Sequence, residues 1–502
     1  MFFILPSGQL TIVVLLLAGL VWTLYKSRRQ VGLPPGPPGL PILGNALEFS
    51  MPNAYKTFAK WGKQYGPVIA VRAFSQTCII VHSAPVAMNI LTKSSGSTSF
   101  RIVRPITELY GLGRFLAHLQ PNEEFKQSRQ YTKMSLGSAA MTEYEPEHEL
   151  RALRLVRKLS GNPQNLLSEI GFWVAASFEH IAYGTDEEEE PSGFVEIARR
   201  FMPDFILSSD PTVLWAVDVL PFLRHLPSWL PGMSFKRQAE AFAKGPLHDL
   251  LNKPFENAVR KMESGKFSPS LISRVSERQP LDTLSDDDLE ILKLSAMNLY
   301  LGGADSTTSI VSSFFLAMIL YPEVQKRGQQ EVDAVTHGTR LPTFADRPHL
   351  PYIDCIMKEL MRWAVPTPFL FPHVQDPACD AFVDGLLIPR GSMLIVNTGG
   401  IFEDPDVYTD PTKFWPERFL DKTLLDPFSI AFGFARRQCI GMRFIEKRLW
   451  ITIATTLATL DVGGPTKPSV REPRAAWEDG PIRLPLPFDA AFKVRNEALL
   501  DN

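Results

Sequence analysis

FGFARRQCIG, Phe432–Gly441, sets Cys439 among two glycines, two arginines and two phenylalanines. A free thiol keeps its proton at neutral pH, and neighbouring guanidinium charge shifts it towards the thiolate. Glycine removes the Cβ that would keep the backbone away from a flat ligand. The other cysteines, Cys78, Cys355 and Cys379, are widely spaced and form no CxxC pair, which argues against a disulfide framework or a structural zinc site and fits a reducing cytosolic setting. A lone cysteine is most often a small buried hydrophobe. Here its neighbours single it out as a reactive or ligating sulfur.

Upstream, apolar residues recur at helical spacing from Ser285 to about Leu320. Ser285 is placed to cap the first turn, Asp286–Asp288 suit the positive end of the helix dipole, and Pro322 ends the run. Such a helix is on the order of 50 Å long, enough to cross a whole domain. Its middle reads LGGADSTTS, Leu301–Ser309, where Gly302 and Gly303 each cost about 1 kcal/mol against alanine. Tight helix packing or an opening beside the helix would offset that cost. ELMR, Glu359–Arg362, puts Glu359 and Arg362 on one helical face, upstream of WPERF with Arg418. VIAVRAFSQTCII, Val68–Ile80, reads as short strands. The expected fold class is mainly α with minor β (α+β).

Taken together, these motifs resemble the cytochrome P-450 superfamily, in the spelling of its fungal microsomal members, over nearly the whole chain. The resemblance implies a helical haem domain in which Cys439 is the axial thiolate ligand of haem b, with Phe432, Gly433 and Gly441 forming the cysteine loop around it. It implies that Glu359, Arg362 and Arg418 form a buried supporting network. Asp305 and Ser306, with Thr307 as alternate, take the positions of an acid and alcohol pair that delivers protons, and the two glycines leave room for dioxygen. Arg437, His373 in PHVQDP and Arg129 in EFKQSRQ match residues that hold the haem carboxylates. Phe369, Leu370, Phe371 and Ile482 match substrate-facing positions, so a lipophilic substrate is expected. Three residues depart from the family pattern: Phe125 stands where tryptophan is usual, Ser306 where threonine is usual, and Ala435 where glycine is usual. Alanine resists positive φ, and the loop is expected to accommodate it.

The resemblance further implies one oxygen atom inserted from O2 into a lipophilic molecule, a terpenoid or other fungal secondary metabolite. Electrons are expected from an NADPH-dependent reductase, since no glycine-rich nucleotide-binding unit follows a strand. Arg436, Arg443, Lys447 and Arg448 are candidates for its basic docking face, or plain solubilising charge. A haem-thiolate isomerase or dehydratase and a non-catalytic haem-binding membrane protein are the rival functions.

The amino-terminal end is apolar: Leu10–Tyr25 carries no charge, and Lys26, Arg28 and Arg29 follow. The expectation is a transmembrane anchor over 1–30 with the remainder cytosolic, at the endoplasmic reticulum; a cleaved signal peptide lacks the required basic start. LPPGPPGLPILGN, Leu33–Asn45, is a stiff proline-rich hinge over 31–45, and 46–502 is expected to be one catalytic domain. With 45% hydrophobic residues the chain has ample material for a large core. A net charge of -2 and scattered basic residues speak against nucleic acid. Asp186–Glu190 is read as a solvated loop. Trp215–Met233 is apolar and proline-broken, either core packing or a shallow membrane contact.

Overall fold

The computed structural model describes residue 19 and residues 32–161, 166–186, 193–209, 213, 215–465 and 471–501. The expected anchor, Gly19 apart, therefore lies outside the described residues. The chain forms two compact units, residues 1–102 with 371–401, and residues 103–370 with 402–502.

The first unit is built on a four-stranded sheet, ordered β1, β2, β6, β3. Strands β1 (Val68–Ala73) and β2 (Gln76–Val81) form an antiparallel hairpin, Val71 opposite Cys78. β2 runs parallel to β6 (Met393–Val396), and β6 pairs antiparallel with β3 (His373–Val374). A separate hairpin joins β4 (Ala381–Val383) to β5 (Leu386–Ile388). Helix α1 (Ala54–Tyr65) buries Tyr55 and Phe58. From Leu33 to Gly39 the chain is neither helix nor strand, as its prolines dictate. It is docked along β1: Ala70 donates its N–H to Pro35 O at 3.0 Å, Asn45 donates to Arg72 O at 2.5 Å, and a Cβ at Gly36 would come within 2.0 Å of Ala70 O. The proline-rich segment is thus fastened to the sheet.

The second unit is helical, and its described helices include α2 (Pro105–Leu109), α3 (Glu123–Leu136), α4 (Glu145–Gly161), α5 (Leu166–Tyr183), α6 (Phe194–Ser209), α7 (Ala216–Val219) and α8 (Ser234–Phe242). The long α9 (Asp286–Leu320), α10 (Pro351–Trp363) and α11 (Met442–Thr459) follow, with a terminal ribbon of β7 (Leu460–Gly463) and β8 (Ala491–Val494). Ser285 caps α9, its hydroxyl accepting the Asp288 N–H at 3.1 Å, and Tyr321 ends it before Pro322. α9 alone among the described helices is long and apolar enough to cross a membrane, but most of that stretch is buried inside the protein, as befits a core helix. It packs on α5, and hydroxyls of Ser128 in α3 and Ser295 meet at 3.0 Å.

The solvated-loop expectation is corrected at Asp186, residues 187–190 lying outside the described residues, and one of the two readings of Trp215–Met233 is narrowed. Asp186 is buried, bound by Arg151 at 2.9 Å and Arg154 at 3.1 Å, two guanidinium groups on α4 that draw its carboxylate inside. In the Trp215–Met233 segment only Val217 and Met233 are buried, while Leu220, Phe222 and Trp229 are exposed, so core packing does not account for its composition.

Candidate active site

The cysteine loop closes through backbone: Cys439 donates its N–H to Phe432 O at 2.8 Å. Gly433 sits at φ 73°, a left-handed conformation that glycine adopts freely. Ala435 sits at φ 45°, so the loop does not reshape itself to suit alanine and instead holds it in the strained region. Gly441 has φ -78°, which any residue adopts; it caps α11, and a Cβ there would lie 3.8 Å from Cys439 Sγ.

Cys439 sits just before the amino terminus of α11, where the backbone N–H groups of Gly441 and Met442 favour the anionic form of its sulfur. Burial raises the thiol pKa overall, and the Gly441 amide, the Arg129 charge and the Met442 amide offset only part of that rise. The side chain is nevertheless exposed to a probing solvent. A sulfur both desolvated and accessible faces a recess rather than open surface. Positive helix-end dipole and guanidinium charge are what a thiolate needs.

Two arginines flank this loop. Arg129 on α3 donates from both terminal nitrogens to Gln438 O, at 3.2 and 3.3 Å. Arg437 is buried and donates to Leu116 O at 3.3 Å and Leu119 O at 2.5 Å. Burial first, and the like charge of Arg129 second, bring Arg437 down to about 10. Phe125 lies beneath both, its ring 4.0 Å from the Arg437 guanidinium carbon and 5.7 Å from that of Arg129. It lacks an indole donor, yet its face offers each cation a π surface.

On α9 the two glycines part company. A Cβ at Gly302 would meet nothing within 4 Å, whereas one at Gly303 would fall 2.0 Å from Phe178 Cζ on α5. Gly303 therefore serves helix packing, correcting the expectation that both open space; only Gly302 borders a gap. The Ser306 hydroxyl donates back to Gly302 O at 3.3 Å. Thr307 is buried and its hydroxyl has no partner among the described residues. Asp305 has no ion-pair or hydrogen-bond partner among them, and burial raises its carboxyl pKa.

The support network is dense. Arg362 grips Glu359 at 2.7 and 2.8 Å, and Arg418 reaches it at 3.1 Å. Glu359 also accepts the Trp415 N–H at 2.7 Å, and the two arginines donate onward to the carbonyls of Phe402, Thr409, Pro411 and Lys413. One buried carboxylate thereby pins the segment that leads to the cysteine loop.

In the first unit, buried His373 bonds through Nδ1 to Thr98 O at 2.8 Å. Sequence reasoning passed over Arg101, which donates to the carbonyls of Phe371 and Pro372 at 2.8 and 2.5 Å and lies over the Phe371 ring. Phe371 is exposed there, whereas in the second unit Leu370 is buried and Phe369 and Ile482 are half-buried. The four basic docking candidates separate: Arg436 and Arg443 are exposed, Lys447 pairs with Glu145, and Arg448 is buried against His148 at 2.9 Å. Arg448 is thus a core residue, drawn in by α4 and stacked over Trp173 and Phe444. A surface hollow of about 440 Å³ beside Asp333, His337 and Arg495 includes none of the expected site residues and is spanned by the Arg495–Asp333 ion pair at 2.5 Å.

A cysteine-bearing loop at the head of a helix, beside a long helix notched by glycine, is the frame of a haem-thiolate oxidoreductase. A family model for cytochrome P-450 matches residues 34–484, and the chain belongs to that family, of oxidoreductases acting with incorporation of oxygen. It is 35% identical to cytochrome P-450 monooxygenase 208 of Postia placenta, over 99% of this chain and 96% of the relative. Cytochrome P-450 monooxygenase claR of Ampulloclitocybe clavipes is 33% identical, over 93% of this chain and 87% of its own length. Monooxygenase COX1 of Coprinopsis cinerea is likewise 33% identical, over 93% and 92%. Membership implies a haem-thiolate iron.

Proposed function

We propose that this chain inserts one oxygen atom from O2 into a lipophilic small molecule, a terpenoid or other fungal secondary metabolite, using electrons from an NADPH-dependent reductase. The observation that carries the proposal is the accessible Cys439 sulfur at the start of α11, with the Gly441 and Met442 amides and the Arg129 charge favouring its anion. The residues present suit haem: an accessible sulfur with two amides and a guanidinium beside it, a gap at Gly302, and two mutually repelling guanidinium groups, Arg437 buried and Arg129 half-buried, that favour an anionic partner.

When bound, haem supplies the oxygen activation and the oxidation itself. The chain supplies the rest. Cys439 would ligate the iron, the α11 amides favouring the sulfur's anionic form. Arg437 and Arg129 would bind the haem carboxylates, Phe125 steadying the two guanidinium groups from below. Asp305, its carboxyl pKa raised by burial, acts as the acid, and the hydroxyls of Ser306 and Thr307 pass the proton on. Ser306 must leave Gly302 O to do so, whereas Thr307 has its hydroxyl uncommitted.

Residues 46–502 are read as the catalytic portion and 1–30 as a membrane anchor at the endoplasmic reticulum. The exposed Leu220, Phe222 and Trp229 favour a membrane-facing surface in addition. Reconstitution with reductase, NADPH and a lipophilic panel tests the proposal. Oxygenated product with matched NADPH consumption is expected; a rearranged product without NADPH use, or binding without turnover, overturns it.

A further inference from the structure

Within the second unit, six aromatic side chains from separate segments gather: Tyr110 at the end of α2, Phe115, Phe201 and Phe205 on α6, Trp215 at the head of α7, and Phe242 ending α8. Phe201 lies 5.4 Å from Phe205 and 5.0 Å from Phe242, and Phe115 lies 5.9 Å from Phe205. Tyr110 lies 5.3 Å from Phe242 and 6.2 Å from Trp215. Tyr110, Phe115, Phe201 and Phe242 are fully or almost fully buried. Two polar atoms interrupt this apolar group. The Tyr110 hydroxyl and the Trp215 indole N–H are both buried, and neither has a hydrogen-bond partner among the described residues.

A buried donor without an acceptor is costly, and structures keep few of them. Two on neighbouring rings mark a place where something outside the protein completes the bonding. The elements that carry them are also locked together. Arg104, capping α2, donates to Asp218 of α7 at 3.0 and 2.5 Å and to Val213 O at 2.6 Å. Asp218 in turn accepts the Ile106 N–H at 3.2 Å. This largely buried ion pair holds the segment ending in Tyr110 against the segment beginning at Trp215. Burial and the nearby Asp204 carboxylate push the Tyr110 phenol up to about 12, which keeps it a donor.

We propose that this cluster is a recognition subsite for an oxygen function on an otherwise apolar substrate: a hydroxyl or carbonyl oxygen accepts from Tyr110 and Trp215 while the phenylalanine rings pack the hydrocarbon skeleton. The inference rests on the monooxygenase reading and narrows it. The substrate already carries an oxygen, so an earlier oxygenation or a cyclisation that captures water must supply it.

The test titrates the full-length haem-loaded protein with farnesol and with farnesene, following the haem spectrum. Farnesol is expected to bind roughly three- to tenfold more tightly, the worth of one net hydrogen bond. Tyr110→Phe and Trp215→Phe are each expected to weaken farnesol, leave farnesene unchanged and bring the ratio towards one. Equal affinities in the unaltered protein, or a ratio that survives both substitutions, overturn the proposal and leave water as the occupant. A preparation without a haem-thiolate spectrum fails the monooxygenase reading, and this one with it.

Discussion

Adjacent glycines on α9 should respond in opposite directions to the same substitution. Alanine at Gly302 gains about 1 kcal/mol of helix propensity, and its methyl meets no protein atom within 4 Å. Alanine at Gly303 gains as much but drives its methyl to 2.0 Å from Phe178 Cζ and 2.5 Å from Cε1. Phe178 is 4% exposed and rests on Phe444, at 5.6 Å between ring centroids, so it has little room to retreat. Overpacking of this kind costs roughly 1–3 kcal/mol, which outweighs the helix gain. Gly303→Ala should therefore be less stable than Gly302→Ala by about 1–3 kcal/mol. Urea unfolding of full-length protein in detergent, followed by tryptophan fluorescence, measures both. A Phe178→Leu change in the Gly303→Ala background should recover part of the loss, a coupling visible in a double-mutant cycle. Equal stability of the two alanine variants, or additivity with Phe178→Leu, would refute the assignment of Gly303 to helix packing.

Other consequences are direct. Glu359→Gln leaves the Arg362 and Arg418 guanidinium groups, 0% and 4% exposed, without their carboxylate; a loss of about 3–5 kcal/mol is expected, and a change below about 1 kcal/mol in chemical denaturation would contradict it. Ala435→Gly relieves a left-handed alanine worth about 1–2 kcal/mol, less about 0.4–1 kcal/mol of added chain entropy. Slightly higher stability and slower haem transfer to apomyoglobin should follow, whereas Ala435→Val should lower both stability and haem retention. Asp305 has its folded carboxyl pKa raised above the ordinary 3.8 by burial. The stability it contributes is thus full below that ordinary value and lost as pH rises through the folded value. Asp305→Asn escapes that loss, so its stability relative to the unaltered protein should grow from acid towards neutral pH; a pH-independent difference would be the contrary result.

Wherever one physical rule dominated, the sequence was readable. The α9 boundaries follow from a capping serine, three first-turn aspartates and a closing proline, and the structure ends the helix where those signals lie. Helical spacing pairs Glu359 with Arg362, whereas the place of Arg418 in their buried network came from the family resemblance of the ELMR and WPERF motifs. What failed to show in the sequence was orientation. Adjacent helical residues differ by about 100° in direction, and no spacing says that Gly303 faces Phe178 while Gly302 faces a gap. Arg448 and Asp186 look like surface charges in the linear chain; partners far away in sequence, His148 and the α4 arginines, take them inside. The proline-rich segment reads as a stiff spacer, and its docking on β1 goes unseen because the contacts are backbone bonds, which leave no side-chain signature. Tyr110 and Trp215 are brought together with the help of the Arg104–Asp218 pair, a juxtaposition that pattern alone does not contain.

Everything catalytic depends on the sulfur of Cys439, so the most direct measurement is the absorption spectrum of the reduced carbon monoxide complex, taken on purified full-length protein and on Cys439→Ala. The unaltered protein should show the red-shifted band that only an anionic sulfur ligand gives, and the variant should lose it. A preparation that binds haem without that band, or a band that persists when Cys439 is replaced, would contradict the assignment of this cysteine to the iron.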